Sequence, residues 1–228
     1  MQLHTVRPLS SAPGRAQLVS VNAGRPRTVP WRGGPDTVTS AIWKQPVGGR
    51  VPVRGVNLDG DDQADRTVHG GPDKAVYAYG VDDYRLWAAE LGRALDPGTF
   101  GENLTIDGLD VSNALIGERW RIGSVILEVS QPRVPCYKLG LRMDDPEFPR
   151  RFAAAERPGA YLRIIQEGTL GVGDQVSVES RPTHGVTAAL VARAYHSDHR
   201  LAPRLLDVPE LSASWHEWAE RVVSHANR

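Results

Sequence analysis

The sequence predicts a mainly β protein with helical excursions, followed by a small C-terminal unit of three helices. Three observations predict it. Glu102–Ile106, Glu118–Ile122 and Val125–Val129 are short strand-like segments at close spacing, separated by glycine-containing turns; this spacing belongs to sandwiches and barrels. Ala160–Gln166 and Gln175–Glu179 repeat the strand character. Beyond Arg181-Pro182 the β signals stop, and three segments show helical spacing. The expected organisation is a flexible tail over 1–16, a β domain over 17–181 and a three-helix domain over 182–228.

Along the chain, Gln17–Val21 alternates as a strand, and a Gly/Pro/Arg-rich loop follows over 24–35. Thr37–Trp43 alternates again. Val51–Val53 fits an edge strand, because Pro52 lacks a donor for the ladder. Residues 54–74 are rich in Asp, Asn and Gly and poor in apolar side chains, the mark of a long functional loop. Ala75–Tyr79 predicts a strand. Asp82 is placed to cap a helix running to Leu95, with Tyr84, Trp87 and Leu91 on one face and Pro97-Gly98 as its stop. Asp145–Ala155 predicts a helix with Pro146 in its first turn. In the C-terminal unit the helices are Val186–Tyr195, Pro203–Leu206 and Ser212–Ala226, with Thr183 and Ser212 as caps and Trp215, Trp218 and Val222 along one stripe.

Composition narrows the class. The 228 residues carry 27 basic and 27 acidic side chains, so the electrostatic footprint of a nucleic-acid binder is missing. No apolar run approaches the ~20 residues of a membrane span, and the first sixteen residues lack the apolar stretch of a secretory signal. A cytoplasmic enzyme is the expectation. One cysteine excludes an internal disulfide and any multi-cysteine metal site. Only Lys44, Lys74 and Lys138 are lysines; the other basic residues are arginines. The few lysines retained point to positions that want a compact ammonium rather than a planar fork.

Three segments carry candidate chemistry. Cys136 stands in Ser130-Gln131-Pro132-Arg133-Val134-Pro135-Cys136-Tyr137-Lys138. Two prolines stiffen the approach, and Arg133 and Lys138 favour the thiolate, the form that ligates metals or attacks electrophiles. The second segment runs from Asp59 to Lys74. It fails as a calcium loop, since Ala64 holds the glycine position and no Glu closes it. It fails as a P-loop, since no Ser or Thr follows Lys74. Arg66, His69 and Lys74 around Gly70-Gly71-Pro72 suit an anion-binding nest, or equally a solvated turn. In the third, Phe100-Gly101-Glu102-Asn103, the Asn103 amide offers both a donor and an acceptor. There is no nucleophile elbow, no His-Glu-x-x-His helix and no dinucleotide fingerprint. His196 and His199 are expected on the surface of the helical unit.

Together, Asp61–Tyr79 (DDQADRTVHGGPDKAVYAY), Phe100–Leu109 (FGENLTIDGL), Gly117–Gly123 (GERWRIG) and Val129–Leu139 (VSQPRVPCYKL) resemble the MOSC family, named for molybdenum cofactor sulfurase C-termini, and its YiiM-type branch in particular. The resemblance spans roughly residues 17–180, and the helical tail is similar to the small C-terminal domain of that branch. It implies a MOSC-type β-barrel core and a site on the single cysteine. Cys136 would be the catalytic metal ligand of a molybdenum cofactor (molybdopterin). Arg66, His69, Lys74, Asn103, Arg133 and Lys138 would hold the pterin and its phosphate. Pyridoxal phosphate is not expected. The implied activity is an oxidoreductase reducing N-hydroxylated compounds, such as hydroxylamino-purines, by oxygen-atom transfer. A separate electron-donor protein would then be needed, since no flavin, haem or iron–sulfur motif is present. The alternatives are a persulfide carrier on Cys136 and a non-catalytic cofactor carrier. Nucleic acid and membrane are not expected as partners, and a homodimer stays open.

Overall fold

In the computed structural model, residues 15–30, 36–62 and 70–226 are described. Alternating burial makes the central strands. β1 (Gln17–Ala23), β4 (Gln45–Pro46), β7 (Val76–Gly80), β8 (Leu104–Asp107), β9 (Arg119–Ile122), β10 (Val125–Gln131), β11 (Ala160–Gln166) and β13 (Val176–Ser180) form one sheet. Its order is β13-β9-β10-β11-β7-β8-β1-β4. Every pairing is antiparallel except β7 with β8. The sheet curls into a half-barrel, and its ends meet where Gln17 bridges Gln175 and the Val176 N–H donates to the Ala16 carbonyl at 2.8 Å. Closure of this kind protects backbone groups that an open edge would expose. Leu18, Ile106, Trp120, Leu127, Val129 and Leu162 fill the interior.

Two smaller sheets flank it. β5 (Arg50–Arg54) lies between β12 (Gly168–Gly171) and β6 (Asn57–Leu58). Val51–Val53 is therefore a central strand and not an edge. Pro52 is tolerated because β6 is only two residues long and pairs with Val53 and Arg54, while the Pro52 carbonyl accepts from the Asp59 N–H at 2.9 Å. β2 (Arg27–Pro30) pairs with β3 (Thr37–Ser40), so the segment expected as loop over 24–35 contains a strand.

Several helix ends differ from the sequence expectation. α1 spans Val81–Leu91. Gly80 holds its cap position, and Asp82 instead pairs with Arg85 one turn on. The stop is Gly92, left-handed at φ 63°, whose N–H returns to the Ala88 carbonyl; Pro97-Gly98 lies beyond it. α3 begins at Phe148 rather than Asp145. A short helix, α2 (Tyr137–Met143), follows Cys136 directly and has no clear sequence signal, being one apolar turn or two in a proline-rich context. In the C-terminal part, α4 (Ala188–His196) is capped by Thr187 Oγ1, which accepts from the Leu190 N–H at 3.1 Å, and not by Thr183. The middle helix is a 3-10 helix over His199–Leu205, and α5 covers Ala213–Ala226. Ala188, Val191, Leu205 and Ala219 join the barrel interior in one continuous apolar core.

A second cluster packs α1, α2 and α3 on the barrel wall. It is almost wholly aromatic: Tyr77, Tyr79, Tyr84, Trp87, Phe100, Phe148 and Phe152, with Leu139 and Met143. Trp87 and Phe152 stack at 5.9 Å with 5° between planes, and the Trp87 indole N–H donates to the Tyr79 hydroxyl at 2.8 Å. Removing a fully buried ring costs about 3–5 kcal/mol. Phe152→Ala is expected to lower the melting temperature by roughly 10 °C, from about 2–4 °C per kcal/mol in a chain of this size. A thermal melt followed by circular dichroism checks it, and a shift under a few degrees would show that the cluster is loosely packed.

Candidate active site

The site starts where β10 ends. Gln131 is the last strand residue, and Pro132 and Pro135 carry the chain off the barrel so that Cys136 falls at the cap position of α2, partly exposed. Between the prolines, Arg133 turns inward. It is buried, lies over the rings of Tyr77 (5.1 Å) and Phe152 (5.7 Å), and donates to the Phe100 carbonyl. A guanidinium in an aromatic cage is held by cation–π attraction as well as its hydrogen bond. Arg133 thus holds a fixed positive charge in the wall that also carries Cys136.

Lys74 comes from a separate segment. It ends a 3-10 turn, Pro72–Lys74, entered through Gly71 at φ 95°. The turn is anchored on the barrel by the Asp73–Arg163 ion pair and by Ser130 Oγ, which bonds to the Asp73 carbonyl and lies 3.0 Å from that of Tyr161. Burial pulls the Lys74 ammonium below its usual pKa, with Asp73 opposing.

Asp61 is the hub of the third wall. Its side chain is 1% exposed and accepts from Lys44 Nζ, from the Gly24 N–H at 2.8 Å and from Asn103 Nδ2 at 2.9 Å. Asn103 also accepts from the Tyr77 N–H at 3.0 Å. Its amide is therefore engaged with the protein, and it acts on the cavity by fixing Asp61 and Tyr77. Burial lowers the Lys44 pKa, opposed by Asp61. Gly101 lets the neighbouring turn approach closely: at φ 76°, a Cβ there would lie 2.8 Å from Ile42 Cγ1.

These groups enclose a cavity of about 100 Å³, lined by Cys136, Lys44, Lys74, Lys138, Asn103 and Arg133 among others. All three lysines of the chain are in its wall. On the other side of Cys136 a groove of about 410 Å³ opens, which shares Lys74, Cys136 and Tyr161 with the cavity. Its far wall is Tyr195 of α4 and Trp215, Trp218 and Arg221 of α5.

Five of the residues singled out in the sequence, Cys136, Lys74, Asn103, Arg133 and Lys138, are brought together. Arg66 and His69 lie outside the described residues. His196 and His199 line neither hollow. Motif reading missed Lys44, Asp61 and Tyr161, and also the aromatic wall from α5. Lys44 did have a signal, as one of three lysines among so many arginines. No three His, Cys, Asp or Glu side chains converge as a metal set among the described residues. A cysteine sulfur sharing one lining with three lysines fits a sulfur-held metal whose organic ligand bears a phosphate. The small cavity suits the charged end of such a group. No helix among the described residues is long and apolar enough to cross a membrane.

Comparison with known proteins shows which family the chain resembles. A family profile described as the MOSC domain matches residues 65–177. The Bacillus subtilis (strain 168) protein YflK is 35% identical over 204 residues, covering 88% of this chain and 91% of that one. Protein YiiM of Escherichia coli (strain K12) is 34% identical over 186 residues, covering 79% and 83%. A Gibberella moniliformis (strain M3125 / FGSC 7600) protein named reductase is 36% identical over 184 residues, but the match covers only 32% of its length against 78% of this chain. Among solved structures, YiiM from Geobacillus stearothermophilus superposes with a TM-score of 0.74 at 29% identity, covering 91% of this chain and 98% of that one.

Proposed function

Because the chain belongs to the MOSC domain family, we propose that it is a molybdenum-cofactor-dependent reductase of N-hydroxylated compounds, with Cys136 as the protein's ligand to the metal. The observation that carries this reading is the convergence of all three lysines and a caged arginine on one partly exposed thiol. The reductase name of one relative supports the reaction class. When bound, the cofactor supplies oxygen-atom transfer at a soft, sulfur-held metal.

The rest is done by the chain. Cys136 Sγ, which lines both cavity and groove, would hold the metal. Lys74 and Lys138 would receive the phosphate end, with the Asp61-paired Lys44 and the caged Arg133 adding positive charge to the same wall. Asp61 and Asn103 keep Lys44 and Tyr77 in place. The overall change is R–NHOH plus two electrons and two protons to R–NH2 and water. The electrons come from a separate redox protein, and the substrate enters through the groove.

The test is expression in cells with and without a working cofactor pathway, followed by assay of molybdenum, of pterin fluorescence and of hydroxylamine reduction with an artificial electron donor. Stoichiometric metal together with turnover is expected. Metal without turnover would leave a cofactor carrier, and a thiol-labile sulfur on metal-free Cys136 would leave a sulfur carrier. Losing one charge-assisted contact costs about 1.5–3 kcal/mol. Lys74→Ala and Lys138→Ala are therefore each expected to weaken cofactor retention by roughly 10- to 100-fold with an unchanged melt of the apoprotein. Full pterin content in both would remove these lysines from the site.

A further inference from the structure

The far wall of the groove is built by the C-terminal helices, not by the barrel. α5 turns Trp215 and Trp218 toward Cys136, and α4 adds Tyr195. The three rings form a mutually supporting cluster: Tyr195 to Trp215 and Tyr195 to Trp218 are both 5.4 Å, and Trp215 to Trp218 is 6.0 Å. Trp215 is buried and holds the cluster to the core, whereas Trp218 is half-buried and Tyr195 is 39% exposed. Two partly exposed rings thus line the groove that also carries Cys136. The wall is held in register with the site by a buried bond, Ser212 Oγ to Gln131 Oε1 at 2.8 Å, joining the start of α5 to the strand that leads to Cys136.

At the rim, one helical turn beyond Trp218, stands Arg221. Its guanidinium forms no ion pair among the described residues, while Arg193 of α4 is paired with Glu156. Open aromatic faces next to a cation select a flat ring carrying negative charge, since rings stack on indole and a guanidinium binds carboxylate or phosphate. The volume, about 410 Å³, is that of a small-molecule site.

We propose that Trp218 and Arg221 determine the substrate specificity of the enzyme: the helical unit selects N-hydroxylated compounds in which the N–OH group is borne on a planar ring with an anionic substituent. The ring lies on Trp218 and Tyr195, the anion meets Arg221, and the N–OH group points to Cys136. This rests on the reductase reading for its chemistry but not for the binding itself.

The experiment compares three compounds on the cofactor-loaded protein: hydroxylamine, phenylhydroxylamine and 4-carboxyphenylhydroxylamine. Arg221→Ala is expected to lower kcat/KM for the carboxylated ring at least about tenfold, mainly through KM, and to leave hydroxylamine unaffected. Trp218→Leu is expected to lower kcat/KM for both ring compounds and to spare hydroxylamine. Molybdenum and pterin content should match the parent protein in both. Equal losses on all three compounds, or no loss on any, overturn the proposal. So does loss of pterin from either variant, which would make this wall part of the cofactor's own site. Calorimetric binding of 4-aminobenzoate, the amine product, separates the two readings. Binding that depends on Arg221 without any reduction sustains the groove and removes the reductase. Hydroxylamine reduction with no aminobenzoate binding and no preference for a ring removes the groove alone.

Discussion

Cys136→Ser is expected to yield a folded protein that binds no molybdenum and reduces no N-hydroxylated substrate. Even the supporting partners of a metal ligand are typically worth 10–100-fold in affinity or activity. Removing the proposed protein ligand itself is therefore expected to cost more than about 100-fold in rate, since 10–100-fold is the range for supporting partners alone. Stability should barely move. Cys136 is partly exposed and belongs to neither apolar cluster, so its thiol adds little packing. The measurements are metal content by mass spectrometry, pterin fluorescence after denaturation and the thermal midpoint. A serine variant that still held stoichiometric molybdenum would transfer the metal to another group and end the proposal. A variant that lost metal only because it unfolded would show in the melt.

Asp61→Ala is expected to be the most damaging polar substitution for the fold. The carboxylate is 1% exposed, and its partner Lys44 is 9% exposed at the side chain. Breaking a buried pair from one side leaves the other charge without a partner in low dielectric, at a cost of about 3–5 kcal/mol. Two further donors, the Gly24 N–H and Asn103 Nδ2, lose their acceptor at the same time. Removing both charges should cost far less, because apolar replacement of a buried pair is often close to neutral. Lys44→Met combined with Asp61→Leu is therefore expected to recover most of the stability and none of the cofactor retention. Urea unfolding of the two single variants and the double variant measures the coupling. A loss below about 1 kcal/mol in Asp61→Ala would place the pair in the range of exposed ion pairs and open that wall of the cavity to water.

Legibility in the sequence followed the range of the interaction. Strand alternation is a contact between a residue and one sheet face, so β1, β10 and β11 stood within a residue or two of where alternation put them. Helix ends were less legible. Asp82 and Thr183 have capping chemistry, yet Gly80 and Thr187 hold the cap positions, because packing of the helix on the barrel decides where its first turn can begin. Pro52 marked an edge by its missing donor, but whether the neighbour reaches that residue depends on the length of β6, two residues in another segment.

The site divides in the same way. Cys136, Arg133 and Lys138 are neighbours in sequence, and a reader of one segment finds them together. Lys74 and Asn103 were reached through the combination of segments. Lys44 and Asp61 became site residues only when β1, β8 and the loop after β6 met, since a buried ion pair is visible in three dimensions alone. The same holds for the groove. Within the Trp215/Trp218 stripe, Trp215 is core, but Trp218 lines the groove with Cys136, more than eighty residues away in sequence.

By itself, then, the order of residues determined the β character, the helical C-terminus, the family and the single cysteine on which the proposed chemistry rests. These are local periodicities and short motifs, set by which side chain follows which. Tertiary structure alone decided that three scattered lysines share one small cavity and that the C-terminal helices supply one wall of the neighbouring groove. Burial and proximity between distant segments have no local signature, because they arise only when the curled sheet brings those segments within contact distance.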